Sequence, residues 1–105
     1  MYTDTHAHFD AWPVAADQDA VVLRAQAAKV TRMIAVGGSP EANAPAVELA
    51  RRFPTTVFAA VGYDRYCAGR LLDPKDVKSM AADRSQVVAI GEIGLDFHYQ
   101  PETAG

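Results

Sequence analysis

The sequence predicts an α/β fold of parallel β/α units, four strands alternating with three helices in one domain. Three observations carry this prediction. MIAVGG (33–38), FAAVGY (58–63) and VAIGEIG (88–94) are short apolar runs, each closing on Ala, then Val or Ile, then Gly. Runs without polar alternation suit strands buried on both faces, as in a parallel sheet covered by helices. The stretches between them place apolar residues at helical spacing behind recognisable start signals. Half of the 105 residues are apolar, which supports one modest core and argues for a globular chain.

MYTDTH at the N-terminus is the first strand, and DQDAVVLRAQAAKV, starting at Asp17, is the first helix. After the second strand, GSPEANAPAVELARRF sets Ala42, Ala46, Leu49, Ala50 and Phe53 on one helical face, with Ser39 or Asn43 available as N-cap. Pro45 is comfortable only in a first turn, which predicts a helix starting near Ala44. The third strand leads to DPKDVKSMAA. There Asp73 caps, Pro74 takes the first helical position, Asp76 adds an acid to the first turn, and Val77, Met80 and Ala81 form the apolar stripe. The units repeat every roughly 25–35 residues. Right-handed crossovers then bring every strand's C-terminal end to one rim, where such folds carry their chemistry. HAHFD, GGSPE, GYDRY and GEIGLD are the loops of that rim.

Ten basic against thirteen acidic residues leave a formal charge of −3. An overall basic surface holding nucleic acid by counterion release is thereby excluded, and any phosphate contact must be local. Cys67 is the single cysteine, so no internal disulfide forms and a reducing compartment is expected. The N-terminus lacks a signal-peptide pattern, and no apolar run approaches the ~20 residues that span a bilayer. A cytoplasmic protein with no membrane partner is the expectation.

Within DTHAHFD (4–10), His6 and His8 stand two apart. Residues i and i+2 of a strand share a face, so the two imidazoles can sit side by side as a chelating pair requires. Asp4 shares that parity, and Asp10 falls in the following loop. Glu92 follows Gly91 at the end of the fourth strand and therefore lies on the same rim. A carboxylate there is a hard oxygen donor able to bridge two ions, while imidazole suits zinc, manganese and similar metals. Read singly, the histidines also fit satisfied buried side chains and Glu92 a solvated or helix-capping carboxylate.

DTHAHFD together with AIGEIGLDFHY resembles the TatD family of metal-dependent deoxyribonucleases, which are amidohydrolase-like (β/α)8 TIM barrels. The resemblance implies that His6 and His8 bind one metal and that Glu92, the catalytic carboxylate, bridges it to a second. It implies a pair of divalent ions (magnesium, zinc or manganese) and DNA or another phosphodiester as substrate. Asp96 matches the aspartate of the family's GLD motif and is expected to orient a ligand or order the loop, a turn-forming role being the alternative. His98 is expected on the rim, outside the ligand set. Where the family carries Gly-x-His-Pro after its third strand, with the histidine thought to face the substrate phosphate, this chain reads GYDRY. Asp64 and Arg65 become the substrate-binding candidates: the anion would not attract phosphate, whereas Arg65 would supply positive charge or be solvated at the surface.

A complete (β/α)8 barrel takes ~250 residues. Residues 1–105 are accordingly read as one partial domain, the N-terminal half of such a barrel, with QPETAG ending the chain before a fourth helix. The family's remaining ligands, two histidines and an aspartate, belong to later strands. Open edges on the first and last strands, with Val36, Ala60 and Ile90 facing no opposite wall, predict self-association or a missing C-terminal half, and weak activity alone. Three rival readings differ in class. A phosphoesterase of the polymerase-and-histidinol-phosphatase group also starts with Asp-x-His-x-His, but GEIGLD argues against it. A nucleotide-binding module built on VGGSPE has only two glycines and no lysine in that loop, matching neither phosphate-loop fingerprint. The third is a non-catalytic fragment that assembles with a partner chain.

Overall fold

The computed structural model describes residues 1–11 and 14–98; QPETAG lies outside them. Four strands, β1 (Tyr2–Ala7), β2 (Val30–Gly38), β3 (Val57–Tyr63) and β4 (Val87–Ile90), alternate with three helices, α1 (Gln18–Ala27), α2 (Pro40–Arg52) and α3 (Pro74–Ala81). The sheet runs β1-β2-β3-β4 and every pairing is parallel. Because every pairing is parallel, all four C-terminal ends lie at one rim, as expected from the repeated strand endings.

The core lies between this sheet and its helices. Met33 and Ala35 of β2, Val57, Ala59 and Val61 of β3 and Val87 of β4 pack against Val22 of α1 and Ala46, Val47, Leu49 and Ala50 of α2. Val22, Leu49, Val57 and Val61 are fully buried, and each such side chain contributes about 1.5–3 kcal/mol. α1 ends where Lys29 takes a left-handed backbone (φ 71°), and the Lys29 carbonyl then accepts the Tyr2 N–H at 2.8 Å. That contact carries the chain from the helix directly into the β1–β2 pair.

Two helix starts follow from local chemistry. Asp73 accepts the Lys75 N–H and Pro74 occupies the first position of α3, while Ser39 accepts the Ala42 N–H at the head of α2. α2 departs from expectation, because it starts at Pro40 and places Pro45 inside the helix. Proline there removes one helical hydrogen bond. The buried stripe of Ala42, Asn43, Ala46, Val47, Leu49 and Ala50 gains more by packing than that bond is worth, so tertiary burial overrides the local preference. The fourth strand is also shorter than its motif and stops at Ile90.

The face opposite the helices is only partly bare. Val36 is 5% and Ala60 4% exposed, against 54% for Ile90. The expectation that all three lack cover is thus corrected: the first two stand on inner strands with a neighbour on each side, and Ile90 stands on an edge. Along that edge and the loop after it, Val88, Ile90, Ile93, Leu95 and Phe97 are all exposed. No helix among the described residues is long and apolar enough to cross a membrane.

Candidate metal centre

The histidines are placed by what flanks them. Ala7 packs against the core from the end of β1, and strand alternation turns His6 to the opposite face. Phe9 is buried in the same core, with its carbonyl accepting from Gln18 Nε2 at 3.0 Å. That pins the chain just after His8. Asp4 Oδ1 accepts the His6 N–H at 3.0 Å, bracing the end of β1 at the histidines. Alternation of apolar and polar residues across the strand end therefore aims both rings at the rim.

Glu92 arrives from the other edge of the sheet. The Gly91 N–H still pairs with the Val61 carbonyl at 2.9 Å, which holds the chain beyond β4 against β3. The Gly91–Glu92 peptide is cis. Gly62 of β3 lies so close to this segment that a Cβ there would stand 2.8 Å from the Glu92 carbonyl oxygen and 2.9 Å from Ile93 Cγ2. Only glycine lets the two backbones approach this far.

Three donor atoms converge as a result. His6 Nε2 and His8 Nε2 are 3.0 Å apart, and Glu92 Oε1 lies 3.4 Å from the first and 3.5 Å from the second. Ligands about 2.0–2.1 Å from a shared tetrahedral zinc ion stand about 3.3 Å from each other, so the triangle fits a divalent ion in both donor type and spacing. The side chains are 57%, 42% and 44% exposed. Three donors on an open rim resemble a site that keeps positions for water and substrate rather than a closed structural one. Asp10 Oδ1 stands 3.9 Å from His8 Nδ1, beyond a direct hydrogen bond but placed to fix that ring's orientation through charge or an intervening water.

The remaining sequence candidates occupy distinct places. Asp96 is buried at 3% exposure, and its Oδ1 accepts the His98 N–H at 2.9 Å, closing the loop two residues on. His98 is exposed. Asp64 Oδ1 accepts the Tyr66 N–H at 2.9 Å and starts a short 3-10 turn over Arg65–Cys67. Arg65 donates to the Tyr66 hydroxyl at 2.7 Å. Burial, and secondarily the charge of Asp64, push the Cys67 thiol above its ordinary pKa; it remains a neutral thiol, directed at the Gly38 carbonyl at 3.3 Å, and is no nucleophile.

One residue that shapes the rim was not singled out by sequence reasoning except as a possible cap. Asn43, 1% exposed, accepts the Gly38 N–H at 2.9 Å and the Gly62 N–H at 3.2 Å, and donates Nδ2 to the Gly62 carbonyl at 2.9 Å. It ties the ends of β2 and β3 together beneath the Glu92 segment. An asparagine amid the buried stripe of α2 was the available signal.

Comparison with known proteins identifies the family. The family model described as TatD related DNase matches residues 3–104. The chain belongs to that family. Among its TatD relatives, a Bacillus subtilis protein named as the uncharacterized metal-dependent hydrolase YabD is 36% identical over 94% of this chain and 39% of its own length. The 3′-5′ ssDNA/RNA exonuclease TatD of Dickeya dadantii is 39% identical over 78% of this chain and 31% of its own. The crystal structure of YjjV, a TatD homologue from Escherichia coli K12, superposes with a TM-score of 0.73 at 33% identity, over 97% of this chain and 40% of that one. The fold is thus the N-terminal half of a TatD barrel, and the chain spans about two fifths or less of these relatives' lengths.

Because Gly62 lies against the Glu92 backbone, Gly62→Ala should move Glu92 away from the histidines. We expect roughly tenfold weaker binding of a divalent ion, read by calorimetric titration, since misplacing one ligand costs at least as much as losing an outer-shell partner. Unchanged affinity would show that the segment relaxes around the added methyl.

Proposed function

We propose that this chain carries the N-terminal part of a metal-dependent phosphodiesterase site that cleaves DNA or a related single-stranded nucleic acid. The observation that carries the proposal is the convergence of His6 Nε2, His8 Nε2 and Glu92 Oε1 within 4.8 Å of one another, on a rim where open positions remain. The match to relatives named as metal-dependent hydrolases and as an ssDNA/RNA exonuclease supports the substrate class. We read residues 1–105 as one partial barrel domain, and the exposed apolar edge at Val88, Ile90, Ile93 and Leu95 as a surface that further barrel strands or a second chain cover.

A divalent ion bound by these residues would supply Lewis acidity toward a phosphoryl group and would lower the pKa of water. His6 and His8 each offer one Nε2 lone pair, which requires the tautomer with the proton on Nδ1. In His8, Asp10 stands on the Nδ1 side and favours that tautomer. Glu92 turns Oε1 toward the two histidines and would hold a divalent ion together with them, its charge offsetting that of the ion. Three donors are too few for two ions. We therefore place the remaining ligands outside this chain's match and expect it to turn over weakly by itself.

The test is cleavage of a labelled single-stranded oligonucleotide, with a small phosphate monoester in parallel, by the chain supplied with magnesium, manganese or zinc. Metal-dependent oligonucleotide cleavage that falls at least about 100-fold in Glu92→Gln is the expected result, given the electrostatic work asked of that carboxylate. Preferential turnover of the monoester, or cleavage indifferent to Glu92→Gln, would overturn the reading.

A further inference from the structure

The loop after β3 presents an aromatic ring and a guanidinium together at the same rim. Tyr66 is 64% exposed. The Arg65 guanidinium carbon sits 4.8 Å from the centre of its ring while Nη2 donates to its hydroxyl at 2.7 Å. The backbone beneath them is fixed on several sides. The Asp64 N–H pairs with the Gly38 carbonyl at 2.7 Å, Cys67 is buried, and Arg70 grips both oxygens of Glu41 at 2.8 and 3.0 Å, a pairing that holds the Glu41 carboxyl down at about 2. The side chains project from a braced turn.

Their location connects them to the ligand cluster. Gly62, in contact range of the Glu92 backbone, is three residues before Arg65, and three residues of extended chain reach at most ~10 Å. One nucleotide of a single strand covers a comparable distance. The Asp64 carboxylate, the nearest anion in sequence, is turned to the Tyr66 N–H and toward Gly38.

We propose that Tyr66 is a stacking platform for a nucleobase next to the scissile phosphate and that Arg65 contacts that nucleotide's phosphate. An exposed ring beside a guanidinium is the combination that holds single strands without reading their sequence. The inference rests on the nuclease reading and assigns this chain's own contribution to substrate positioning. It also fits the net charge of −3, since a chain with no basic surface must hold a nucleic acid through a local contact.

The experiment is fluorescence anisotropy of a labelled single-stranded oligothymidylate of roughly eight nucleotides, without turnover, against the chain and its variants, and the same titration with an abasic oligonucleotide. Tyr66→Ala should weaken binding of the thymidylate about tenfold, as expected for one lost base stack. Tyr66→Phe should bind within about twofold of the parent, and the abasic strand should bind parent and Tyr66→Ala alike. Arg65→Gln should weaken both strands and flatten the salt dependence by about one phosphate contact. Because Tyr66 is exposed, circular dichroism of Tyr66→Ala should match the parent. Equal binding of thymidylate by parent and Tyr66→Ala, an equal loss on the abasic strand, or no binding by the parent overturns the platform. Zinc titration on the same samples separates the two ideas: loss of the platform with zinc binding intact leaves the metal centre standing, and ring-dependent binding without zinc binding removes the nuclease reading alone.

Discussion

Substituting His6 by alanine, or Glu92 by glutamine, should lower affinity for zinc or manganese by at least about 100-fold, with little change in the stability of the metal-free chain. The size follows from rank within the site: loss of a residue that merely orients a ligand costs about 10–100-fold, and loss of a ligand exceeds that. The retained fold follows from exposure. With side chains 57% and 44% exposed, His6 and Glu92 contribute little packing, and surface substitutions of this kind stay within about 0.5 kcal/mol. Asp10→Asn should sit between parent and ligand variants, with a loss below about tenfold, since 3.9 Å to His8 Nδ1 is too long for a direct hydrogen bond. Isothermal titration calorimetry reads the affinities and urea unfolding the stabilities. Parent-like affinity in either ligand variant would show that the three atoms meet without holding an ion.

The parts of this site that were legible in the sequence are those governed by short-range rules. His6 and His8 share a face because strand alternation has a period of two, and Glu92 reaches their rim because parallel strands in chain order all end on one side. Ser39 and Asp73 cap helices through hydrogen bonds to N–H groups two or three residues away. What escaped is long-range. Nothing local to Asn43 says that its amide meets Gly38 and Gly62, 5 and 19 residues distant, or that Arg70 pairs with Glu41 across 29. Pro45 misled for the same reason, since its local cost is visible in sequence and the burial that offsets it is not. Val36 and Ala60 looked bare because half a barrel suggests a bare face, yet both are buried on the inner strands.

The largest loss of stability is expected at Asn43. Replacing it by leucine keeps the branched shape and the number of heavy atoms but leaves the Gly38 N–H, the Gly62 N–H and the Gly62 carbonyl without the partners they have now. Each orphaned buried group costs about 1–3 kcal/mol. With all three orphaned the sum is about 3 kcal/mol or more, a large part of the ~5–15 kcal/mol that holds a domain together. Asn43→Asp is a sharper probe: it preserves both acceptor contacts, removes the donor that faces the Gly62 carbonyl, and buries a charge, so it too should destabilise. Gly37→Ala attacks the same clamp from the strand, because its Cβ would stand 2.0 Å from Asn43 Oδ1 and 3.0 Å from Asn43 Cα. Urea unfolding with an unchanged m-value is the measurement, and an Asn43→Leu chain within 1 kcal/mol of the parent, a limit set by about one net hydrogen bond, would refute the clamp. Metal titration of the folded fraction adds the functional half of the argument. Asn43 holds Gly62, and Gly62 bears on the Glu92 backbone, so a released clamp should weaken ion binding even though Asn43 is not itself among the three converging donors.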